Sequence, residues 1–171
     1  MKRAFLVLGP ESSGTRWLTQ ALINAGCVGD GDHAQRWDTQ WPTDEPLIVW
    51  RRSFPHAEAW PNIPQKVRRL RALGYDVQAL VTCRDWFAME QSQCGFHASL
   101  DEVRANMQEV YSLIFAVIAI ARLPYLVVSY EAIGQRPNEF MARVYRWLNL
   151  PVVPVDWRNG NDKWYEEEHC G

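Results

Sequence analysis

Ala4-Phe5-Leu6-Val7-Leu8-Gly9-Pro10-Glu11-Ser12-Ser13-Gly14-Thr15-Arg16-Trp17-Leu18 is the stretch that decides the fold. Residues 4–8 form a short apolar run ended by Gly9-Pro10, which suits a buried parallel strand better than a helix because it is so short. Over residues 15–25, Leu18, Leu22 and Ile23 fall at helical spacing, and Gly26 stands just beyond as a stop. Strand, glycine-bounded turn and helix therefore follow one another. In such a turn, successive backbone N–H groups and the positive end of the helix hold an anion. Glycine, serine and threonine are also ordinary turn and cap residues, so a connection without a ligand has the same composition.

Outward from this unit the alternation continues. A polar, Gly/Asp-rich stretch over residues 29–44 precedes a second strand at 47–50, which delivers Arg51, Arg52 and His56 at its end. Residues 64–73 read as a helix opened by Pro64 and capped by Gly74, and 76–83 as a third strand followed directly by Arg84 and Asp85. Helical character resumes at 87–93. A long helix, Leu100–Ala121, then carries Val103, Met107, Val110, Leu113 and Ile114 on one side. Residues 124–129 give a fourth strand. A last amphipathic helix at 137–148 turns Phe140, Met141, Val144, Trp147 and Leu148 inward, and Pro151 and Pro154 end it. The expected fold is α/β: a three-layer α/β/α domain of the P-loop nucleotide-binding type, spanning 1–171, with a central parallel sheet of about four or five strands. Ligands belong at the carboxyl ends of the strands, just after residues 8, 50 and 83. The 29–44 stretch is long enough to be a substrate loop or lid.

Composition narrows the function classes. The chain has 171 residues, 47% of them apolar and 22% charged, and its net charge of −2 gives no general case for nucleic acid or an anionic membrane. Gly9, Pro10 and Glu11 cut the N-terminal apolar run too short for a secretory signal. The apolar run 110–121 contains Ser112 and falls short of the roughly 20 residues of a membrane span, so it reads as a buried helix. A cytoplasmic location is expected. Cys27, Cys83, Cys94 and Cys170 form no CxxC pair, and His33, His56, His97 and His169 are scattered, so no metal site is expected.

The spacing Gly9-Pro10-Glu11-Ser12-Ser13-Gly14-Thr15-Arg16 imitates the GxxxxGK[ST] loop, but Thr15 stands at the lysine position and Arg16 at the hydroxyl position. Both the usual cation and the usual Mg2+ hydroxyl are displaced, which argues against an ordinary ATPase or GTPase. Aligned on Ser13-Gly14-Thr15, residues 10–18 instead resemble the PxSGTxW loop of sulfotransferases that use 3'-phosphoadenosine 5'-phosphosulfate (PAPS). That loop binds the cofactor's 5'-phosphate end, and the resemblance assigns Ser12, Ser13, Gly14, Thr15, Arg16 and Trp17 to it. In the family's cytosolic members a lysine precedes the serine-glycine-threonine, and the tryptophan stacks on adenine. Here Ser12 stands where that lysine does. Arg16, or alternatively Arg51 or Arg52, is left to steady the leaving oxygen.

Two further segments carry the resemblance. Arg84-Asp85-Trp86, with Ser92 eight positions past Arg84, is similar to the family's 3'-phosphate motif; outside the family these residues read equally as a surface ion-pair former and a solvated hydroxyl. Arg158, Gly160 and Lys163 share the basic-Gly-basic outline of the family's C-terminal segment that closes over the nucleotide, here within 151–171; otherwise it is a polar tail. Tyr130-Glu131 before a Pro-started helix also resembles a family segment, and Glu131 is expected to support structure.

The resemblance implies in-line transfer of a sulfuryl group from PAPS to a hydroxyl or amine of a small-molecule or carbohydrate acceptor, releasing 3',5'-adenosine bisphosphate without a metal. A base near pH 7 is most easily a histidine. His56 is the first candidate and His33 the second, with Glu58 and Glu11 as carboxylate alternatives. Trp37, Trp41, Trp50 and Trp60 are candidates to line an acceptor pocket or to be plain core. A P-loop kinase or nucleotidase is the alternative enzyme, and a sulfotransferase-like binding module without turnover is the alternative outside catalysis.

Overall fold

The structure, a computed structural model, describes residues 1–29, 44–54, 61–94 and 99–165. In chain order the elements are β1 (Lys2–Pro10), α1 (Thr15–Asn24), β2 (Leu47–Phe54), α2 (Ile63–Ala72), β3 (Tyr75–Cys83), α3 (Trp86–Cys94), α4 (Leu100–Ala121), β4 (Tyr125–Ser129), α5 (Tyr130–Gln135), α6 (Pro137–Trp147) and α7 (Asp162–Tyr165). The four strands are parallel and lie in the order β2-β1-β3-β4. The fold is α/β, as the alternation of apolar runs predicts.

The layering follows from the two-residue period of a strand. On β1, Ala4, Leu6 and Leu8 pack on one face with α2 and α4, through Ile63, Val67 and Leu70 and through Val110, Ile114 and Ile118. Phe5 and Val7 pack on the other with α1, α5 and α6, through Leu18 and Leu22, Ile133, and Met141, Val144 and Tyr145. Both sides of β1 are thereby dry, which explains its unbroken apolar run. From β1 the chain steps one way to β2 and the other way to β3. The strand ends of β1 and β3 thus border the switch-point crevice of a parallel sheet.

Several local expectations need correction. β2 runs on to Phe54, so Arg51 and Arg52 lie within the ladder opposite Val7 and Leu8 rather than beyond the strand end. Their charge disguises residues that the register of β1 keeps extended. On α4 the buried row is Val103, Met107, Val110, Ile114 and Ile118, while Leu113 is 39% exposed. Nor is this helix simply buried: Phe115 and Ile120 are also exposed. By length and composition α4 is the one described helix able to cross a membrane, and its first half carries Asp101, Glu102, Arg104 and Glu109. On α6, Tyr145 is buried and donates its hydroxyl to the Ala21 carbonyl at 3.2 Å, while Trp147 is exposed. The short helices α5 and α7 were not expected. Ser129 caps α5 by accepting from the Ala132 N–H at 3.2 Å.

Candidate functional site

The turn between β1 and α1 is held from beneath. The Ser13 hydroxyl donates to the Pro10 carbonyl at 2.6 Å and, its single hydrogen spent, accepts from the Thr82 hydroxyl of β3 at 2.6 Å. Ser13 is 1% exposed, and its backbone N–H also donates to the Pro10 carbonyl, at 3.2 Å. Gly9 makes room for this contact. A Cβ there would lie 2.1 Å from Thr82 Oγ1 and 2.5 Å from Ser13 Oγ. Ser12 and Gly14 both take left-handed backbone, at φ 64 and φ 91. Left-handed residues alternating with others along a turn turn successive N–H groups toward one concavity, the geometry of an anion nest. The N-terminal N–H groups of α1, which have no carbonyl within the helix to bond, open on the same side.

Arg84, directly after β3, reaches across the switch point. Its guanidinium donates to the Ser12 carbonyl (Nη1, 2.8 Å), the Gly160 carbonyl (Nη2, 2.8 Å) and Asn161 Oδ1 (Nε, 2.6 Å). It also stacks 4.5 Å from the centroid of the Tyr130 ring. Burial pulls its pKa below the ordinary arginine value, against the opposing pull of Tyr130, Glu131 and Asp85. An arginine stays protonated regardless, so a half-buried positive charge stands at the strand edge.

The C-terminal segment is fastened to the same point. The Gly160 N–H donates to Tyr130 Oη at 2.9 Å, and that hydroxyl donates on to the Arg158 carbonyl at 3.3 Å. Glu131 accepts from the Asp85 N–H at 2.8 Å, from Asn161 Nδ2 at 3.1 Å and from the Ser129 hydroxyl at 3.3 Å. These bonds give Glu131 the structural role expected of it. Asp85 in turn caps α3 by accepting from the Ala88 N–H at 2.9 Å, and it also accepts from the Tyr165 hydroxyl. Gln93 ties α3 to the loop, donating to the Glu11 carbonyl at 2.8 Å.

Ser12, Arg84 and Gly160, from three separate stretches of sequence, thus meet through direct hydrogen bonds. Ser92 is half-buried on α3, next to Gln93. Thr15 is buried with its hydroxyl 3.5 Å from that of Ser53, and Arg16 is exposed. Trp17 donates to the Asp156 carbonyl at 3.0 Å and sits edge-on to Trp157, with centroids 4.8 Å apart. The Arg158 and Lys163 side chains are exposed, and Lys163 Nζ lies 4.2 Å from the Trp164 ring centroid. Trp50 is buried in the core beneath α2 and α4, which takes it out of any acceptor pocket. His33, His56, Glu58, Trp37, Trp41 and Trp60 lie outside the described residues.

Thr82, Gln93 and Asn161 were not singled out from sequence. Each acts on a partner 69 to 82 positions away, through a polar side chain whose type alone gives no hint of that partner. Thr82, a hydroxyl in the midst of an otherwise apolar strand end, carried the best signal.

No family model and no curated protein matches the chain. Among solved structures it is similar to an unliganded sugar kinase from a Janibacter species, at 12% identity over 91% of this chain and 100% of that one, with a TM-score of 0.47.

Proposed function

We propose that the chain is a transferase that binds an adenine nucleotide donor at the β1/β3 switch point, and that the donor is PAPS. The observation that supports this reading most is the meeting of Ser12, Arg84 and Gly160, because the three segments with nucleotide-binding resemblance are far apart in sequence. The 5' end of the donor lies on the turn 12–17, where backbone N–H groups and the start of α1 neutralise phosphate and sulfate oxygens. Arg84 and Ser92 hold the 3'-phosphate, with residues 158–163 closing over the adenosine. Since all three guanidinium nitrogens of Arg84 now donate to protein oxygens, binding requires it to exchange at least one of them for a phosphate oxygen. A charge-assisted forked bond to phosphate is stronger than a bond to a neutral carbonyl, which favours that exchange.

In the reaction, an acceptor oxygen or nitrogen forms a bond to sulfur in line as the bond from sulfur to the bridging phosphate oxygen breaks. The nucleotide leaves as 3',5'-adenosine bisphosphate. Arg16 stabilises the leaving oxygen, with Arg51 and Arg52 as alternatives, and His56 takes the acceptor's proton, ahead of His33, Glu58 and Glu11.

A second reading has its own supporting observation. With every guanidinium nitrogen engaged, Arg84 serves equally as a brace between the loop and the C-terminal segment, and a brace suits a phosphotransferase whose donor has no 3'-phosphate. Calorimetry separates the two. PAPS chemistry requires metal-independent binding of 3',5'-adenosine bisphosphate, weakened at least tenfold by Arg84→Ala, and sulfation of some member of an acceptor panel. Preference for ATP with Mg2+ would overturn it in favour of the kinase reading. Bisphosphate binding with no acceptor sulfated would leave a binding module.

A further inference from the structure

The two edges of the Arg84 guanidinium bond different parts of the chain. On any arginine, Nε and Nη2 send their N–H groups out along one edge, which is how the side chain grips two oxygens of one phosphate or carboxylate at once. On Arg84 that edge is taken by consecutive residues of the C-terminal segment: Nε donates to Asn161 Oδ1 at 2.6 Å and Nη2 to the Gly160 carbonyl at 2.8 Å. Nη1 lies away from it and donates to the Ser12 carbonyl at 2.8 Å. One edge thus faces the tail and the other contact faces the loop.

The contacts on the two sides differ in kind and in anchorage. Asn161 is 7% exposed, and its carboxamide links the cation to a carboxylate, with Oδ1 on Arg84 and Nδ2 donating to Glu131 Oε1 at 3.1 Å. Among the described residues, the hydrogen bonds of the guanidinium therefore all end on neutral oxygens, which hold it less strongly than an oxyanion does. Ser12 belongs to a turn fastened by the buried Ser13. Residues 160 and 161 instead lead into α7, none of whose four residues is buried, and the ring contacts before them end at Trp157, against Trp17 and Tyr130. A segment with so few buried contacts moves at the lower cost. We infer that Asn161, with the Gly160 carbonyl, is a built-in competitor for the donor's phosphate: the two oxygens occupy the guanidinium edge that the phosphate takes, and the phosphate displaces them while Nη1 keeps its bond to Ser12. The inference rests on the reading of Arg84 as the cation that holds phosphate. It also sets an order, since residues 158–163 close over the adenosine only after 160 and 161 have given up that edge.

Calorimetry on the full chain, with 3',5'-adenosine bisphosphate and with inorganic phosphate, tests this through two substitutions of one residue. Asn161→Ala removes the competing oxygen and is expected to bind both probes about tenfold more tightly, because one hydrogen bond to a charged group no longer has to be exchanged. Asn161→Asp sets a carboxylate against Nε and is expected to bind both about tenfold more weakly. A residue that only braced the segment would lower affinity in both variants, so opposite signs distinguish competitor from brace. Adding Arg84→Ala to Asn161→Ala is expected to erase the gain. Circular dichroism and thermal unfolding show which variants are folded, and the Asn161→Ala pair decides the matter without the aspartate. Unchanged or weaker binding by Asn161→Ala, or a gain that survives the loss of Arg84, would overturn the inference. Tighter phosphate binding by Asn161→Ala with no added affinity for the bisphosphate would uphold it and remove the PAPS reading. Tight bisphosphate binding indifferent to Asn161→Ala would do the reverse.

Discussion

The turn at residues 9–14 and the helix α4 both border the sheet, but they are stabilised in opposite ways. At the turn, polar groups are packed where water is excluded, and each of them is paired: Ser13 with Pro10 and Thr82, and Arg84 with Ser12, Gly160 and Asn161. Along α4 the inner row, Val110, Ile114 and Ile118, is closely packed, while the outer row, Leu113, Ala116 and Ile120, is left in contact with water. A fixed polar arrangement holds charge in a defined place, which a transferred group requires. An exposed apolar row confers no such precision.

The largest expected effect comes from comparing neighbouring positions on α4. Ile114→Ala empties space in a core where Ile114 is 0% exposed, and is expected to cost about 2–5 kcal/mol in urea unfolding. Leu113→Ala, one residue away, is expected to change the dilute monomer by less than about 0.5 kcal/mol. Comparable losses at both positions would mean that the outer row is already covered within one chain.

At the turn, Gly14→Ala combines strain at φ 91 with a Cβ 2.8 Å from the Tyr130 ring, and is expected to cost about 2–4 kcal/mol. Gly74→Ala is the control: φ is 84, nothing lies within 4 Å, and only the backbone strain of about 1 kcal/mol applies. The difference between the two measures how tightly Tyr130 is held against the loop. If they match, the aromatic ring yields and the turn is less fixed than its hydrogen bonds imply.

A smaller effect distinguishes a coupled polar pair from two independent ones. Ser13→Ala and Thr82→Val each remove one hydroxyl of the buried pair, leaving Thr82 the Leu8 carbonyl at 3.4 Å and Ser13 the Pro10 carbonyl at 2.6 Å as remaining acceptors. Their double-mutant cycle is expected to show a coupling of about 1 kcal/mol, measured by urea unfolding. Additive losses would show that Pro10 alone satisfies Ser13.

The sequence allowed the first of these regions to be read more fully than the second. Residues 4–25 announce themselves because strand period, Gly9-Pro10 and helical spacing change within a few positions, and the sheet then places each strand end by rule. What pairs with what across the crevice was not legible, since Thr82, Gln93 and Asn161 acquire their partners only through folding. On α4 the sequence pattern places Leu113 in the core and gives no sign that Phe115 and Ile120 are exposed. An apolar residue at nearly every position leaves the helical phase undefined, so periodicity has nothing to discriminate. Trp147 failed for the related reason that a large apolar residue was preferred to Tyr145, whose hydroxyl finds its acceptor at Ala21 only in three dimensions.

Tyr145 also provides the mildest test, through pH. Burial, with a smaller contribution from Cys27, pushes its phenol up to about 12, and burial pushes the Cys27 thiol up to about 12 against the pull of Arg3. Both groups are acids whose neutral form the fold prefers, so the native chain keeps protons that the unfolded chain releases nearer pH 9 to 10. The stability they contribute is fully present below that range, and is lost as pH rises through it toward 12. Tyr145→Phe keeps the ring in place, loses the bond to Ala21, and is expected to make the alkaline decline in unfolding free energy shallower, because one of the protons released on unfolding is gone. Urea titrations at a series of pH values between 8 and 11 read this slope directly. An unchanged slope would mean that Tyr145 reaches solvent before the chain unfolds, and that this face of the sheet opens locally beneath α6.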